Sequence, residues 1–285
     1  MKRNNPNGTV NLNSIPPILI RPRRGLVPIN LRELWDYREL LYFLTWRDVK
    51  VRYKQTLFGF AWAVIQPFGL MVVFTLFFGT LAKVPSEGIP YPIFNYVALL
   101  PWTLFAEGLN RSSNSLVAEQ NLVQKVYFPR LVMPLSGILS PVVDFAIAFI
   151  ILIGMMFYYH IYPTIAILCL PAFILLALVT AFGAGLWLSA VNVQYRDVRY
   201  VLPFLTQLWL FISPVVYSST LLPERWRIIY GLNPMAGVIE GFRWALLNTS
   251  PPGPLTAVSV VMVLIIVISG LYYFRHTEKT FSDVV

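Results

Sequence analysis

Charged side chains are scarce in this sequence: they make up 12% of its 285 residues, whereas hydrophobic residues make up 57%. An ordinary soluble domain carries roughly 25% charged residues, so a conventional water-facing surface is excluded. The apolar residues also lie in blocks near or above the roughly 18 to 20 residues that are needed to cross a bilayer. The composition therefore predicts an integral membrane protein.

Cysteine and histidine are almost absent, and this excludes several kinds of site. The single cysteine, Cys169, lies in an apolar run, and the two histidines, His160 and His276, form no metal-binding motif. The phosphate-binding pattern GxxxxGKS or GxxxxGKT and the zinc-hydrolase pattern HExxH are missing too. We therefore expect no catalytic residue, no metal and no cofactor in this chain, and any energy for its function must come from a partner.

The sequence divides into four regions. Residues 1–30 are rich in Pro, Asn and Arg and are predicted to form an irregular cytoplasmic tail. Residues 31–55 carry recurrent charges, most of which fall within one arc of about 80° on a helix, which predicts an amphipathic helix in the membrane interface. Asp48 and Arg52 lie outside this arc and indicate a kink or a buried ion pair. Residues 56–275 form the membrane domain, and residues 276–285 form a second cytoplasmic tail.

The membrane domain is predicted to be all-α. We expect six transmembrane helices, at residues 60–82, 93–115, 135–158, 165–191, 201–217 and 255–274. The second is the least apolar, because it contains Glu107 and Arg111, which are four residues apart and can neutralise each other. Asp144 in the third is expected to make a structural hydrogen bond to a neighbouring helix.

The connection between the fifth and sixth spans is too long for a turn. Asn233 and Pro234 are typical of a helix N-cap and first helical residue, and they predict a re-entrant or interfacial helix of about 14 residues that ends near Asn248. Seventeen basic residues, Lys125 and Arg196 among them, fall on the side of the two termini, and four fall on the other side. Because basic loops stay in the cytoplasm, we expect both termini there, and His160 and residues 222–247 outside.

Four stretches carry a family resemblance. They are RDVKVRYKQTLFGFAWAVIQP at 47–67, AEQNLVQKVYFPRLVMPL at 118–135, YRDVRYVLPFLTQLWLFISPVVYS at 195–218 and LNPMAGVIEGFRWALL at 232–247. In this order they closely resemble the ABC-2 type permeases of exporters for O-antigen, capsule and teichoic acid chains, and the resemblance covers about residues 31–275.

The resemblance implies a function and partners. Such a permease is the transmembrane subunit of an ATP-driven ABC transporter that exports a lipid-linked polysaccharide across the bacterial cytoplasmic (inner) membrane. It forms a homodimer and binds two copies of a separate ABC ATPase subunit, which holds ATP and Mg and performs the hydrolysis. The chain itself is then not an enzyme, and it contacts substrate, membrane lipid and protein subunits but not nucleic acid.

Three groups of candidate residues go with the resemblance. In the family, spans one and five line the channel. Aromatic rings with amide or hydroxyl groups suit a sugar chain, and the residues of these kinds on the two spans are the channel candidates: Trp62, Gln66, Phe77, Tyr200, Phe204, Gln207, Phe211 and Ser218. Basic residues ahead of span one suit a diphosphate headgroup: Arg47, Lys50, Arg52 and Lys54. The family's coupling helix, which the ATPase grips, matches 120–130 and gives Lys125, Tyr127, Phe128, Pro129 and Arg130.

Other interpretations stay open from the sequence. The aromatic residues could pack against lipid or other helices, the basic residues could attract anionic lipid, and the 120–130 segment could rest on the bilayer. For the whole chain the alternatives are an ABC-2 exporter of drugs or other lipids, a membrane-embedded glycosyltransferase and a proton-coupled carrier. A glycosyltransferase needs acidic or histidine residues that converge at one membrane face, and here they are scattered. A carrier of the inverted-repeat type needs an internal repeat, and none is visible.

Overall fold

The computed structural model describes residues 31–54, 59–195, 197–278 and 281, and within these ranges the regular structure is helical. The predicted tail at residues 1–30 lies outside the described residues, as do Arg196 and Lys279, which contributed to the predicted topology. Helices α1 (Leu31–Asp36) and α2 (Arg38–Lys54) occupy the region predicted to be an amphipathic helix. Leu44 and Val49 are buried in α2, whereas Trp35, Tyr42 and Trp46 are exposed.

Four helical segments are long and apolar enough to cross a membrane. The first is α3 (Ala61–Phe74) with a π-helical continuation (Thr75–Leu81), and the second is α6 (Val132–Leu139) with α7 (Pro141–Tyr158). The third is a 3₁₀ turn (Ile165–Cys169) with α8 (Leu170–Gln194), and the fourth is α12 (Pro254–Thr277). They correspond to the predicted first, third, fourth and sixth spans.

Helix α4 (Tyr91–Ala118) forms the centre of the bundle. Its 28 residues extend for about 42 Å at 1.5 Å per residue. It packs against α3, α6, α7, α8 and two helices nearer the C-terminus, at Val198–Ile212 and Pro234–Leu247, and residues 93–101 are completely or almost completely buried. Glu107 and Arg111 form the expected ion pair, at 3.6 Å. Because protein surrounds most of this helix, its outer surface does not need the hydropathy of a lipid-facing span.

Helix α9 (Val198–Ile212) is shorter than the predicted fifth span and ends five residues before the predicted boundary. The cause is Pro214, since a proline disfavours the α-helical conformation of the residue before it. Ser213 accordingly has extended dihedral angles, φ −85° and ψ 152°. The 15 residues of α9 extend for about 22 Å, which is less than the roughly 30 Å hydrocarbon thickness of a bilayer.

A 3₁₀ turn (Ser219–Leu221), α5 (Gln120–Lys125), α10 (Glu224–Tyr230) and α11 (Pro234–Leu247) complete the helical elements that the structure describes. The predicted start of α11 is confirmed, because the Asn233 side chain accepts a hydrogen bond from the Met235 amide at 3.1 Å. Its predicted end is confirmed too, since Asn248 adopts the left-handed conformation, with φ 57°. Most of α11 is buried against α4, α8 and α12.

The bundle has two ends, which we name after their short helices. The α5 end contains α2, α5 and the C-terminal part of α12, and a hydrophobic cluster there joins residues of six helices, α2, α4, α5, α6, α8 and α12. The α10 end contains the segment after α9, α10 and the loop before α4. Between the ends, glycine residues allow close helix contacts: a Cβ atom on Gly270 would lie 2.4 Å from the Gly183 carbonyl oxygen, so α8 and α12 cross with their backbones in contact.

Candidate functional site

One face of α9 is aromatic and exposed. Tyr200, Phe204, Gln207 and Phe211 follow the spacing i, i+4, i+7 and i+11, which places them on one side of the helix. All four are exposed, whereas Leu202 on the opposite side and Leu210, about 90° around the helix, are buried. The predicted channel face of this helix is therefore open in a single chain.

Helix α3 approaches α9 near the C-terminal end of α3. Trp62, Gln66 and Phe77 are exposed on α3 and its π-helical continuation, and Gln66 also lines a small cavity with Arg52, Glu107 and Asp144. The rings of Phe74 and Phe211 lie 6.2 Å apart, centroid to centroid, so α3 and α9 are neighbours. The structure thus brings together the two helices from which the channel residues were selected.

Ser218 is separated from the other channel candidates. It lies beyond the end of α9 and is buried, and its hydroxyl donates a hydrogen bond to the Glu87 carboxylate. Thr220 donates to the same carboxylate oxygen at 3.2 Å. Ser218 therefore helps to hold the segment after α9 against the loop before α4, and it adds no hydroxyl to the exposed aromatic face.

The residues proposed for a headgroup divide into two pairs. Arg47 forms ion pairs with Asp48 at 2.9 Å and Glu119 at 2.5 Å, and Arg52 pairs with Asp144. Lys50 and Lys54 are exposed at the surface of α2. Burial disfavours the charged form of Arg47, but its hydrogen bonds to Glu119 and Asp48 outweigh this effect and hold its pKa above the ordinary value.

Arg47 and Arg52 line a cleft of about 510 Å³ at the α5 end. Arg111 of α4 lines the same cleft, so three guanidinium groups from two helices converge there with two carboxylates. The sequence did not single out Arg111 for this role, because its ion pair with Glu107 accounted for it. The sequence feature that could have indicated this role is the position of Arg111 at the end of the second span that lies on the side with most of the basic residues.

Asp144 makes the hydrogen bonds to a neighbouring helix that the sequence predicted. It lies in the first turn of α7 and accepts from the Tyr53 hydroxyl and the Arg52 guanidinium, both on α2. Burial and the hydrogen bond to Asp144 raise the pKa of Tyr53. A negative charge is also favourable at a helix N-terminus. The ion pair thus anchors α2 to the membrane domain.

The predicted coupling segment has one exposed aromatic residue and one buried one. Helix α5 ends at Lys125, and the residues from Val126 to the start of α6 are not helical. Pro129 contributes to this, because a proline disfavours the helical conformation of the residue before it. Tyr127 is 85% exposed, whereas Phe128 is 5% exposed and belongs to the hydrophobic cluster at the α5 end. The prediction that both rings are available to a partner therefore needs correction: Tyr127 is available and Phe128 is part of the core.

The other members of the predicted coupling set differ in the same way. Lys125 is exposed, and Pro129 is buried. Arg130 donates a hydrogen bond to the Glu278 carbonyl oxygen and lies over the Phe281 ring at 5.7 Å. Lys125 and Tyr127 thus form the outward surface of the segment, and Arg130 connects it to the C-terminal region.

A buried arginine organises the α10 end. Arg243 is 1% exposed, and its two terminal nitrogens donate to the carbonyl oxygens of Val215, at 2.9 Å, and Tyr217, at 3.1 Å. Its guanidinium lies 3.7 Å from the centroid of the Phe94 ring, and Glu240 is 3.8 Å away. In the sequence, Arg243 was counted only as one of the four basic residues on the side opposite to the termini, whereas its side chain holds the segment where α9 stops being helical.

The sequence pattern of the family described as ABC-2 type transporter matches residues 39–247 of this chain. The chain belongs to this family. The matched region runs from the first turn of α2 to the end of α11, so α1 and α12 are the described helices that lie outside it. The family resemblance that four sequence stretches indicated is therefore confirmed.

Several named transport proteins are similar to this chain along most of its length. The O-antigen export system permease protein RfbA of Myxococcus xanthus is 30% identical over 254 residues, which cover 87% of this chain and 96% of that protein. A protein of the same name from Klebsiella pneumoniae is 28% identical over 257 residues, or 90% of this chain and 97% of that protein. The polysialic acid transport protein KpsM of Escherichia coli is 24% identical over 243 residues, or 82% and 91%.

Proposed function

We propose that this chain is the membrane-spanning permease of an ATP-driven exporter, and that its substrate is a lipid-linked polysaccharide. The observation that supports this most directly is the exposed face of Tyr200, Phe204, Gln207 and Phe211 beside α3. Aromatic rings offer flat surfaces for sugar rings, and an amide can bond to sugar hydroxyls. The relatives named for O-antigen and polysialic acid transport agree with this substrate class.

The topology that we propose has six spans with both termini in the cytoplasm of a bacterium. Helix α4 is long enough to cross although its composition is less apolar, and α9 completes its crossing with the non-helical segment that Arg243 holds. The α5 end then faces the cytoplasm and the α10 end faces outward, with α10 and α11 entering the bilayer from outside. The exposed rings of Trp35, Tyr42 and Trp46 suit a position of α1 and α2 in the membrane interface.

A second copy of the chain completes the channel in this proposal. In one chain the exposed faces of α3 and α9 form a single wall, and a homodimer with these faces opposed encloses a path for a sugar chain. The cleft of Arg47, Arg52 and Arg111 supplies guanidinium groups for a diphosphate headgroup at the cytoplasmic surface, with Lys50 and Lys54 beside it. ATP and Mg are bound by two copies of a separate ATPase, which contact Lys125 and Tyr127.

The alternative functions have less support. A glycosyltransferase requires carboxylates that are free to act at one membrane face, whereas Glu107 and Asp144 are paired with arginine residues and Glu240 lies at the opposite end of the bundle. An exporter of small drugs would have the same fold, but the relatives covering most of the chain carry the names of polysaccharide transport proteins.

Deletion of the gene in its host, followed by complementation with the full chain, tests the proposed function. We expect the deletion strain to lose surface polysaccharide and to accumulate the polymer on its lipid carrier inside the cell, and the full chain to restore export. Unchanged surface polysaccharide in the deletion strain would contradict the proposal. Stoichiometric co-purification of an ATPase with the tagged chain tests the proposed partner.

A further inference from the structure

A cavity of about 240 Å³ lies at the α10 end, and none of its lining residues belongs to α9. It is bounded by the 3₁₀ turn after α9, by α10, and by the segment that leads into α12. Several of its lining residues carry polar groups: Ser219, Thr220, Arg227, Glu240 and Thr256. The proline-rich segment at 250–254 forms the remaining rim. The cavity therefore combines hydrogen-bonding groups with rigid apolar surface.

Two buried polar atoms of the lining residues have no hydrogen-bond partner in the part of the chain that the structure describes. They are Nε of Arg227 and Oγ1 of Thr256. Buried polar groups in folded proteins are almost always hydrogen-bonded, so unpaired ones indicate a missing partner. Both residues line the cavity, so a ligand there can supply this partner when the Arg227 Nε–H or the Thr256 hydroxyl turns toward it.

The charged groups of the cavity are held in place by the protein itself. One terminal nitrogen of Arg227 donates to the carbonyl oxygens of Thr220, at 3.1 Å, and Leu222, at 3.2 Å. The Glu240 carboxylate accepts a hydrogen bond from the Ser219 amide at 3.2 Å. Groups that are already oriented lose little conformational freedom when a ligand binds, which favours affinity.

The combination of groups selects the ligand class. The carboxylate of Glu240 in the lining repels a phosphate or carboxylate ligand, and the guanidinium of Arg227 repels a cation. Adjacent hydroxyls of a neutral sugar can accept from Arg227 and donate to Glu240, while its C–H faces lie against the proline rings. We propose that this cavity binds one neutral sugar unit of the exported polysaccharide after it has left the channel.

The location fits a polymer that emerges at the α10 end, and in this respect the inference rests on the proposed function and topology. Ser219 and Thr220 continue directly from the segment that follows α9, and Thr220 also bonds to Glu87. A sugar in the cavity would thus lie beside the outer end of the aromatic face. It would hold the emerging chain and oppose its return.

Binding of polymer fragments to the purified complex tests the proposal. The probes are trisaccharides and tetrasaccharides cut from the delipidated surface polysaccharide of the host, and the receptor is the full chain with its ATPase in lipid nanodiscs. Saturation-transfer NMR reports contact, and titration gives the Kd. Thr256→Val removes the unpaired hydroxyl and should weaken binding about three- to tenfold, the effect of one hydrogen bond.

Thr249→Val is the matched control. Thr249 also has a buried hydroxyl without a hydrogen-bond partner among the described residues, but it does not line the cavity, so this variant should bind like the wild type. Absence of saturation transfer, or equal affinity of Thr256→Val and wild type, would overturn the proposal. Displacement of the fragments by inorganic phosphate would also overturn it, because the cavity would then be an anion site.

The export assay separates this proposal from the proposed function. If export depends on the chain while the fragments do not bind, only the cavity proposal fails. If the deletion strain exports normally, the proposed function fails, whatever the fragments do. Wild-type export by Thr256→Val together with weakened fragment binding supports a site that retains the polymer without being required for its passage.

Discussion

Replacement of the buried Arg243 should destabilise the α10 end more than any other single change to a charged side chain there. Arg243→Met keeps much of the apolar volume but removes both hydrogen bonds to the carbonyl oxygens of Val215 and Tyr217. It also removes the cation over the Phe94 ring and leaves the Glu240 carboxyl without its basic neighbour. The two lost hydrogen bonds act on the segment where α9 ends, and the other two losses act on α4 and α11.

The magnitude follows from these contacts. Each hydrogen bond from a charged donor contributes about 1.5–3 kcal/mol, and removal of one partner from a buried polar network typically costs about 3–5 kcal/mol in total. For a domain of this size, such a loss lowers the midpoint of thermal unfolding by roughly 5–15 °C. Arg243→Lys should fall between the wild type and Arg243→Met, because a lysine keeps the charge but cannot bond to both carbonyls in the geometry of a guanidinium fork.

Thermal unfolding of the purified chain in detergent, followed by size-exclusion chromatography with fluorescence detection, measures the effect. Arg225→Met is the control, since Arg225 is an exposed arginine on α10 and its replacement should change the free energy of unfolding by less than about 0.5 kcal/mol. An Arg243→Met midpoint within about 2 °C of the control would refute the inference that Arg243 holds the end of α9.

Three further predictions concern the coupling segment, the aromatic face and the topology. Phe128→Ala should destabilise the chain by about 3–5 kcal/mol, which thermal unfolding would detect. Tyr127→Ala should leave the fold intact and weaken ATPase association by about 2 kcal/mol or more, which co-purification would measure. Phe204→Ala should leave the amount of assembled complex unchanged while surface polysaccharide falls; equal loss of both would mean that the ring is needed for packing. Cysteine introduced at His160, in a chain without Cys169, should react with an impermeant maleimide in intact cells, and cysteine at Lys125 should not; labelling at position 125 would contradict the proposed orientation.

Hydrophobic block length predicted most of the fold, because it depends on local sequence. The four most apolar segments and the N-cap of α11 at Asn233 lie where the sequence placed them. Helix α4 is the least apolar of the predicted spans for a physical reason. It is enclosed by other helices, so its residues are selected for contacts with protein and not for contacts with lipid. Hydropathy measures exposure to lipid, and it is a weak signal for the most central helix of a bundle.

The side-chain environments were harder to predict, since they depend on segments far apart in the sequence. Phe128 and Tyr127 are adjacent and chemically similar, and only the packing of α2, α8 and α12 around Phe128 distinguishes them. Arg243 was counted as an external charge because nothing in its own helix reveals that the backbone at 215–217 needs a donor. The kind of contact that Asp144 makes, a hydrogen bond to a neighbouring helix, was predicted correctly. Its partners on α2 were not, because they are about 90 residues away in the sequence.

The crossing of α8 and α12 at Gly183 and Gly270 divides the molecule into a fixed part and an adjustable part. Two backbones in direct contact leave no layer of side chains that could slide or repack, so these helices form a rigid frame together with the central α4. Helices α3 and α9 meet the frame through a few buried side chains and have large free surfaces. In the exporter that we propose, work that an ATPase delivers at the α5 end would therefore change the width of the channel through shifts of α3 and α9 against a stationary support.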